Sequence, residues 1–176
     1  PFIDLDQMPP ALRWPQRPEA IVLPYRKGMP EAWEISWQRL RSILAERAPH
    51  IRLAEPLQGS GVPHRDLLTQ LGRFRYFLTL SATEGFGLVP LEAMAMGAVV
   101  VGYDGFGGRH YMRPGDNCLV APHPQIESVA ELLIDAMHDS ERAAAIAASG
   151  QSTASQYGYA AFRQAWIEEF RAAGLR

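Results

Sequence analysis

The sequence lacks the residues that mark several common classes of site. Its 176 residues include one cysteine, Cys118, and one lysine, Lys27. A single cysteine cannot form an internal disulfide, and this is typical of a protein from a reducing compartment. The histidines do not have the spacing of metal ligands, so we expect no metal site. Because a Walker A motif needs a lysine between a glycine and a serine or threonine, the sequence also excludes a P-loop.

The sequence also has only a small excess of negative over positive residues, and it has no long apolar run. The formal net charge is −2, so we expect no nucleic-acid partner. The longest apolar run, residues 93–101, contains Gly97 and falls short of the roughly 18–20 residues of a membrane span. The composition therefore predicts a cytoplasmic protein, with peripheral association at the inner membrane face as an alternative. Because the chain begins with Pro1 rather than Met, we expect it to be a domain of a longer protein.

Two glycine pairs come close to a dinucleotide fingerprint without completing one. The pattern G-x-G-x-x-G needs a third glycine three residues after the second. Pro90 stands there after Gly85 and Gly87, and His110 stands there after the pair at 105 and 107. A dinucleotide-binding dehydrogenase is therefore not expected.

Apolar runs alternate with helical patterns from residue 20 onward. Strands are predicted at residues 20–25, 50–54, 75–81, 98–103 and 118–121. Helices are predicted at residues 30–47, 63–72, 89–96, 126–137, 140–155 and 159–170. This alternation predicts an α/β fold, a Rossmann-like parallel sheet with helices on both faces.

The domain boundaries follow from composition. The first nineteen residues hold five of the fourteen prolines and no hydrophobic period, so residues 1–19 are predicted to be a linker or arm. Residues 20–157 form the predicted Rossmann-like domain, and residues 158–176 a C-terminal helix with an aromatic stripe.

The stretch SATEGFGLVPLE, residues 81–92, contains two carboxylates around a glycine-containing turn. It lies between a predicted strand and a predicted helix, where parallel sheets bind ligands. A helix N-terminus exposes unpaired N–H groups and attracts anions, and Gly85 and Gly87 allow a phosphate to approach the backbone. Pro90 suits an early helical position. The stretch therefore predicts an anion site between Glu84 and Glu92.

This stretch and its continuation, EGFGLVPLEAMAMGAVVV, resemble the signature of retaining glycosyltransferases with the GT-B fold. Three further segments, PFIDLD near the start, YRKG at residues 25–28 and GGRHYMRPGDNCLVAP at residues 107–122, are similar to the family's linker, basic turn and glycine-rich turn. The resemblance covers nearly the whole chain and implies the C-terminal, donor-binding half of a GT-B fold.

The resemblance also implies roles for individual residues. Glu84 would contact hydroxyls of the donor sugar, and Glu92 the ribose of the nucleotide. Arg26 and Lys27 would neutralise the diphosphate, so Glu84, Arg26 and Lys27 are the expected catalytic residues. The remaining donor-binding residues would be Gly85, Phe86, Gly87 and Leu88.

Some residues depart from the family pattern or have simpler interpretations. Arg26 and Lys27 are adjacent rather than several residues apart, so Arg109 or Arg113 could take the place of one of them. His110 and Tyr111 stand where the family often has a glutamate. On its own, Glu92 could be a helix cap, Arg26 and Lys27 surface charges, and the Phe86 ring a core residue.

The function implied by the resemblance is sugar transfer from a nucleoside-diphosphate sugar to an acceptor glycan or lipid, as in polysaccharide biosynthesis, without a cofactor or metal. An N-terminal Rossmann-like domain would complete the site, and residues 158–176 would pack toward it, so this chain alone would be inactive. Two alternatives are a non-catalytic nucleotide-sugar-binding module and a GT-B relative such as a sugar-nucleotide epimerase.

Overall fold

The computed structural model describes residues 1–26, 30–58 and 61–174, and these residues form an α/β fold. The strands are β1 (Ile21–Arg26), β2 (Arg52–Leu53), β3 (Leu57–Gln58), β4 (Tyr76–Thr79), β5 (Val99–Gly102) and β6 (Leu119–Val120). The α-helices are α1 (Pro30–Arg47), α2 (His64–Leu71), α3 (Leu88–Ala95), α4 (Ile126–His138), α5 (Ser140–Ser155) and α6 (Tyr159–Ala172).

The sheet has the order β2-β1-β4-β5-β6, and every pairing is parallel. At the centre of the sheet, β1, β4 and β5 are aligned so that Leu23 lies opposite Phe77 and Phe77 lies opposite Val100. The predicted Rossmann-like parallel sheet is confirmed.

The edge of the sheet beside β1 differs from the prediction. The predicted strand at 50–54 is reduced to β2, which pairs with the start of β1, and a further short strand, β3, pairs with the end of β1. Pro56 lies between the two short strands. Proline has no N–H to donate to a ladder, so it interrupts an edge strand at this kind of position.

Side chains alternate between two cores, one on each face of the sheet. Tyr76 and Leu78 point into the core shared with α1, α4 and α5. Phe77 points into the opposite core, shared with α2 and α3. The strand period of two thus buries both faces of β4, and the prediction of helices on both faces is confirmed.

The N-terminal arm, residues 1–19, lies against the domain. The Ile3 N–H donates to the Tyr157 carbonyl at 2.9 Å. Arg17 is 5% exposed, and its guanidinium donates to four backbone carbonyls, those of Leu12, Phe74, Met96 and Gly97. A buried cation needs such acceptors, so Arg17 binds the arm to the segments that directly precede β4 and β5.

The last helix, α6, buries none of its side chains in the described parts of the chain. Tyr159, Trp166 and Phe170 of its predicted aromatic stripe are exposed. Phe2 of the arm packs on Tyr159 and Phe162. Most of the stripe therefore faces solvent in this structure.

Candidate donor-binding site

The loop between β4 and α3 is shaped by its glycines. Gly87 precedes α3 in the left-handed conformation, with φ 84° and ψ 56°, which glycine adopts without strain. The Tyr111 hydroxyl donates to the Gly87 carbonyl and fixes this turn. Helix α3 then begins at Leu88, one residue before the predicted start, and Pro90 is its third residue, where a missing N–H costs no helical hydrogen bond.

A second loop, after β5, lies directly against the first. The Glu84 N–H donates to the Gly105 carbonyl at 2.7 Å, and Glu84 forms an isolated parallel bridge with Phe106. The Gly107 N–H donates to the Gly105 carbonyl at 2.7 Å, which makes a γ-turn centred on Phe106. Phe106 has φ 61°, and no sequence pattern predicted this strained conformation.

The Phe106 turn is held by its neighbours. Asp104 accepts from the Phe106 N–H through Oδ1 at 2.9 Å and from Arg109 Nε through Oδ2 at 2.7 Å. The Arg109 guanidinium lies 4.4 Å from the centre of the Phe106 ring. Strained backbone persists where its surroundings over-determine it, and this cluster supplies that constraint beside Glu84.

The first loop, the start of α3, the end of β1 and the segment around His64 line a cavity of about 620 Å³. It lies at the carboxyl end of β4, as predicted for a ligand site of a parallel sheet. The structure brings six of the predicted site residues to its wall, namely Glu84, Gly85, Phe86, Gly87, Leu88 and Glu92. Val89 and Pro90 of the same turn also line the cavity, as do four residues that the sequence did not single out for the site, namely Tyr25, Val62, His64 and Leu67.

Glu92 is buried in this wall, with 6% of its surface exposed. Its Oε1 lies 2.8 Å from Nε2 of His64, the first residue of α2. Burial raises the pKa of Glu92 above its ordinary value of 4.5, while the hydrogen bond and charge of His64 act in the opposite direction. The contact joins residues 28 positions apart in the sequence, so local patterns could not predict it.

Two buried tyrosines complete the electrostatic surroundings. Burial, with smaller effects of Glu84 and Glu92, raises the pKa of Tyr25 to about 12. Burial also raises the pKa of Tyr111, with smaller effects of Cys118, Glu84 and Glu92 among others. Both hydroxyls therefore stay protonated near neutral pH and can act as hydrogen-bond donors.

The predicted basic residues have different positions. Arg26 is the last residue of β1, but its side chain, like all of Lys27, lies outside the described residues. Arg113 binds Asp116 at 2.8 Å and Thr153 at 2.8 Å. Arg109 binds Asp104, and neither Arg113 nor Arg109 lines the cavity.

Phe86 combines the two interpretations given to it. Its ring packs against His110 and Tyr111, with centroids 5.9 Å and 5.4 Å away, and it also lines the cavity. His110 stacks on this ring and is not among the cavity residues. Among residues 1–26, 30–58 and 61–174, no group of three or more histidine, cysteine or acidic side chains could hold a metal ion.

Comparison with known proteins identifies the family. The glycosyl transferases group 1 family matches residues 59–153, which include the cavity loop after β4 and the loop after β5 that lies against it. The chain belongs to the glycosyl transferases group 1 family. No curated protein sequence is significantly similar to it.

Solved structures with the same fold include glycosyltransferases of this kind. S. aureus TarM is 14% identical with a TM-score of 0.74, and the match covers 96% of this chain and 38% of TarM. Anabaena HepE is 16% identical with a TM-score of 0.71, covering 97% of this chain and 55% of HepE. The C-terminal domain of LpcC from Francisella tularensis is 14% identical with a TM-score of 0.66, covering 89% and 99%.

These likenesses confirm the expected fold, that of a GT-B C-terminal domain. The group 1 chain spans about 38% and 55% of the lengths of TarM and HepE. In the described part of the chain, no helix has the length and apolar character needed to cross a membrane.

Proposed function

We propose that this group 1 chain is the donor-binding domain of a retaining glycosyltransferase. The observation that carries the proposal is that Glu84, the turn at residues 85–88 and Glu92 line the same cavity. Two carboxylates and a helix N-terminus at the end of a parallel sheet suit a ligand with a sugar, a diphosphate and a ribose. The ligand class is therefore a nucleoside-diphosphate sugar.

Each part of the cavity has a proposed partner. The amides from Gly85 to Leu88, at the start of α3, would donate to the diphosphate. Glu84 would accept hydrogen bonds from hydroxyls of the donor sugar, and Glu92 from hydroxyls of the ribose. The 620 Å³ of the cavity is within the roughly 300–1,000 Å³ of small-ligand sites.

The proposed chemistry is transfer with retention at the anomeric carbon. As the bond from this carbon to the diphosphate breaks, negative charge grows on the leaving phosphate. Amides aimed at that phosphate, together with Arg26 and Lys27, would stabilise the charge. The acceptor hydroxyl would attack from the same face, and its proton would pass to the leaving phosphate oxygen. Catalysis would then depend on positioning and charge stabilisation, with no metal required.

Related structures support the ligand class. HepE has been crystallised with UDP-glucose and TarM in a complex that includes UDP. The proposal extends to an N-terminal Rossmann-like domain and a glycan or lipid acceptor, and to a role in polysaccharide biosynthesis. It follows that this chain alone should bind the donor but transfer no sugar.

Calorimetric titration of the chain with UDP, GDP, ADP and the corresponding glucose conjugates tests the proposal. At least one nucleoside diphosphate should bind at millimolar concentration or below. Glu92→Ala should weaken binding of that nucleotide about tenfold, which corresponds to about 1.4 kcal/mol. Glu84→Ala should reduce only the additional affinity that the sugar contributes.

Glu46→Ala provides a matched control, because Glu46 is exposed on α1 and does not line the cavity. Absence of binding by every nucleotide at millimolar concentration would refute the proposal. Equal effects of the two cavity variants on nucleotide and nucleotide sugar would refute the separate roles of Glu84 and Glu92. Product analysis of the complete enzyme with and without an acceptor distinguishes a transferase from an epimerase.

A further inference from the structure

The contact between His64 and Glu92 joins an exposed residue to a buried one. The His64 side chain is 53% exposed and that of Glu92 is 8% exposed, with Nε2 and Oε1 at 2.8 Å. Both residues line the cavity. A ligand in the cavity would therefore meet the pair directly, and the imidazole remains accessible to protons from solvent.

The groups that face Glu92 differ in the charge they can carry. The charges of both Glu84 and Glu92 act on Tyr25 of β1 and on Tyr111 after the γ-turn, so these four side chains lie near one another. Tyrosine and glutamate are neutral or negative. Among these described neighbours of Glu92, His64 is the one that can become positive.

A buried carboxylate stays ionised only when a donor or a positive charge compensates its lost hydration. His64 Nε2 lies 2.8 Å from Glu92 Oε1, and with a proton on Nε2 the imidazole donates to the carboxylate and supplies that compensation. With Oε1 occupied, Oε2 is the oxygen that can accept from a ligand hydroxyl. The bond thus favours the ionised form of the carboxylate and holds its orientation.

We propose that His64 is a positioning residue for Glu92 and makes donor-nucleotide binding depend on pH near neutrality. The proposal rests on the proposed function, because it assumes that Glu92 accepts from the ribose. Protonated His64 offsets the carboxylates of Glu84 and Glu92 in a cavity that must admit an anionic diphosphate. An imidazole that loses its proton loses its positive charge, so binding should weaken as the pH rises.

The experiment measures nucleotide affinity by calorimetry between pH 6 and 8, using whichever of UDP, GDP and ADP binds most tightly. His64→Ala should weaken binding about tenfold at pH 6.5, the loss expected for a hydrogen bond to a charged group. His64→Gln keeps an N–H donor without a titrating charge, and it should bind within about threefold of the parent at pH 8.

Protonation of the nucleotide affects the parent and His64→Gln equally, so it cancels in the ratio of their affinities. This ratio should fall about fivefold between pH 6 and 8, because only the parent loses a positive charge. The 2′,3′-dideoxy nucleoside diphosphate should lose less affinity in His64→Ala, since it has no ribose hydroxyls for Glu92 to bind and responds only to the lost positive charge. His138→Gln, an exposed histidine at the end of α4, should leave every value unchanged.

The outcomes separate this inference from the proposed function. If no nucleotide binds, both are overturned. If a nucleotide binds and the affinity ratio is flat between pH 6 and 8, the inference is overturned and the donor-binding function stands. Equal losses for the ribose and dideoxy nucleotides in His64→Ala would also overturn it, because the effect would not pass through Glu92. Thermal melts of each variant, with His64→Gln as the conservative change, exclude general unfolding as the cause.

Discussion

The contact between the loop after β4 and the loop after β5 predicts that Gly107→Ala will destabilise the fold. A Cβ at residue 107 would lie 2.6 Å from the Glu84 carbonyl oxygen and 2.7 Å from the Phe86 nitrogen. Both are backbone atoms, and Gly107 itself is buried. Neither loop can accommodate the methyl group by rotating a side chain, so the backbones must separate.

The magnitude follows from the cost of overpacking. Inserting a methyl group into a packed interior costs about 1–3 kcal/mol, and three contacts below 3.0 Å at residue 107 favour the upper end. For a domain of this size, about 1 kcal/mol lowers Tm by about 2–4 °C. The expected decrease is therefore about 6–12 °C, measured by circular dichroism during heating.

Gly85→Ala is the matched control for this substitution. A Cβ at residue 85 would meet no heavy atom within 4 Å, although Gly85 lines the same cavity. Its Tm should stay within about 2 °C of the parent, while nucleotide binding weakens because the methyl group enters ligand space. A Gly107→Ala variant as stable as Gly85→Ala would refute the inference that close backbone contact holds the two loops together.

Three further substitutions test the surroundings of the site and one helix cap. Glu92→Gln should stabilise the chain by about 1 kcal/mol at pH 8 in urea unfolding. Because the native pKa of Glu92 is raised from 4.5, the parent loses stability as the pH rises through that raised value. A stability gain of Glu92→Gln over the parent that shrank with rising pH would contradict this reasoning. Tyr111→Phe removes the donor to the Gly87 carbonyl and should cost about 1 kcal/mol, and an unchanged urea midpoint would count against it. Asp139→Ala removes the side-chain acceptor for the Arg142 N–H at 2.9 Å and should cost about 1 kcal/mol, with a loss below 0.3 kcal/mol arguing against the cap.

Local patterns predicted most of the fold. The alternation of buried strands and amphipathic helices depends on residues that are close together in the sequence. The ends of α1, α4 and α5 were therefore predicted to within one residue. The shortening of the predicted strand at 50–54 to β2, and the separate strand β3, were not predicted. Each short strand is defined by its pairing with β1 rather than by its own two residues, and pairing is a tertiary property.

The same distinction applies to the site. Glu84 and Glu92 flank one strand–helix connection, so their spacing alone placed them beside the same turn. His64 and Tyr25 come from other elements and reach the cavity only through the topology of the sheet. The sequence predicts a helix that begins at Pro63, as the next element after the predicted strand at 50–54. Because ligands bind at the carboxyl ends of parallel strands, that order was the signal that could have assigned His64 to the site.

The structure also explains why the glycines fail to form a dinucleotide fingerprint. In that fingerprint, successive glycines of one loop serve the turn, the pyrophosphate and the packing of one helix on its strand. Here those tasks are divided between two loops. Gly85 leaves open space on the ligand side, and Gly107 from the neighbouring loop allows the close backbone approach that supports it. A third glycine in the first loop is unnecessary, because Pro90 can occupy the first turn of α3 while the second loop supplies the packing. The position of Glu84, bridged to Phe106, then depends on the second loop as much as on its own.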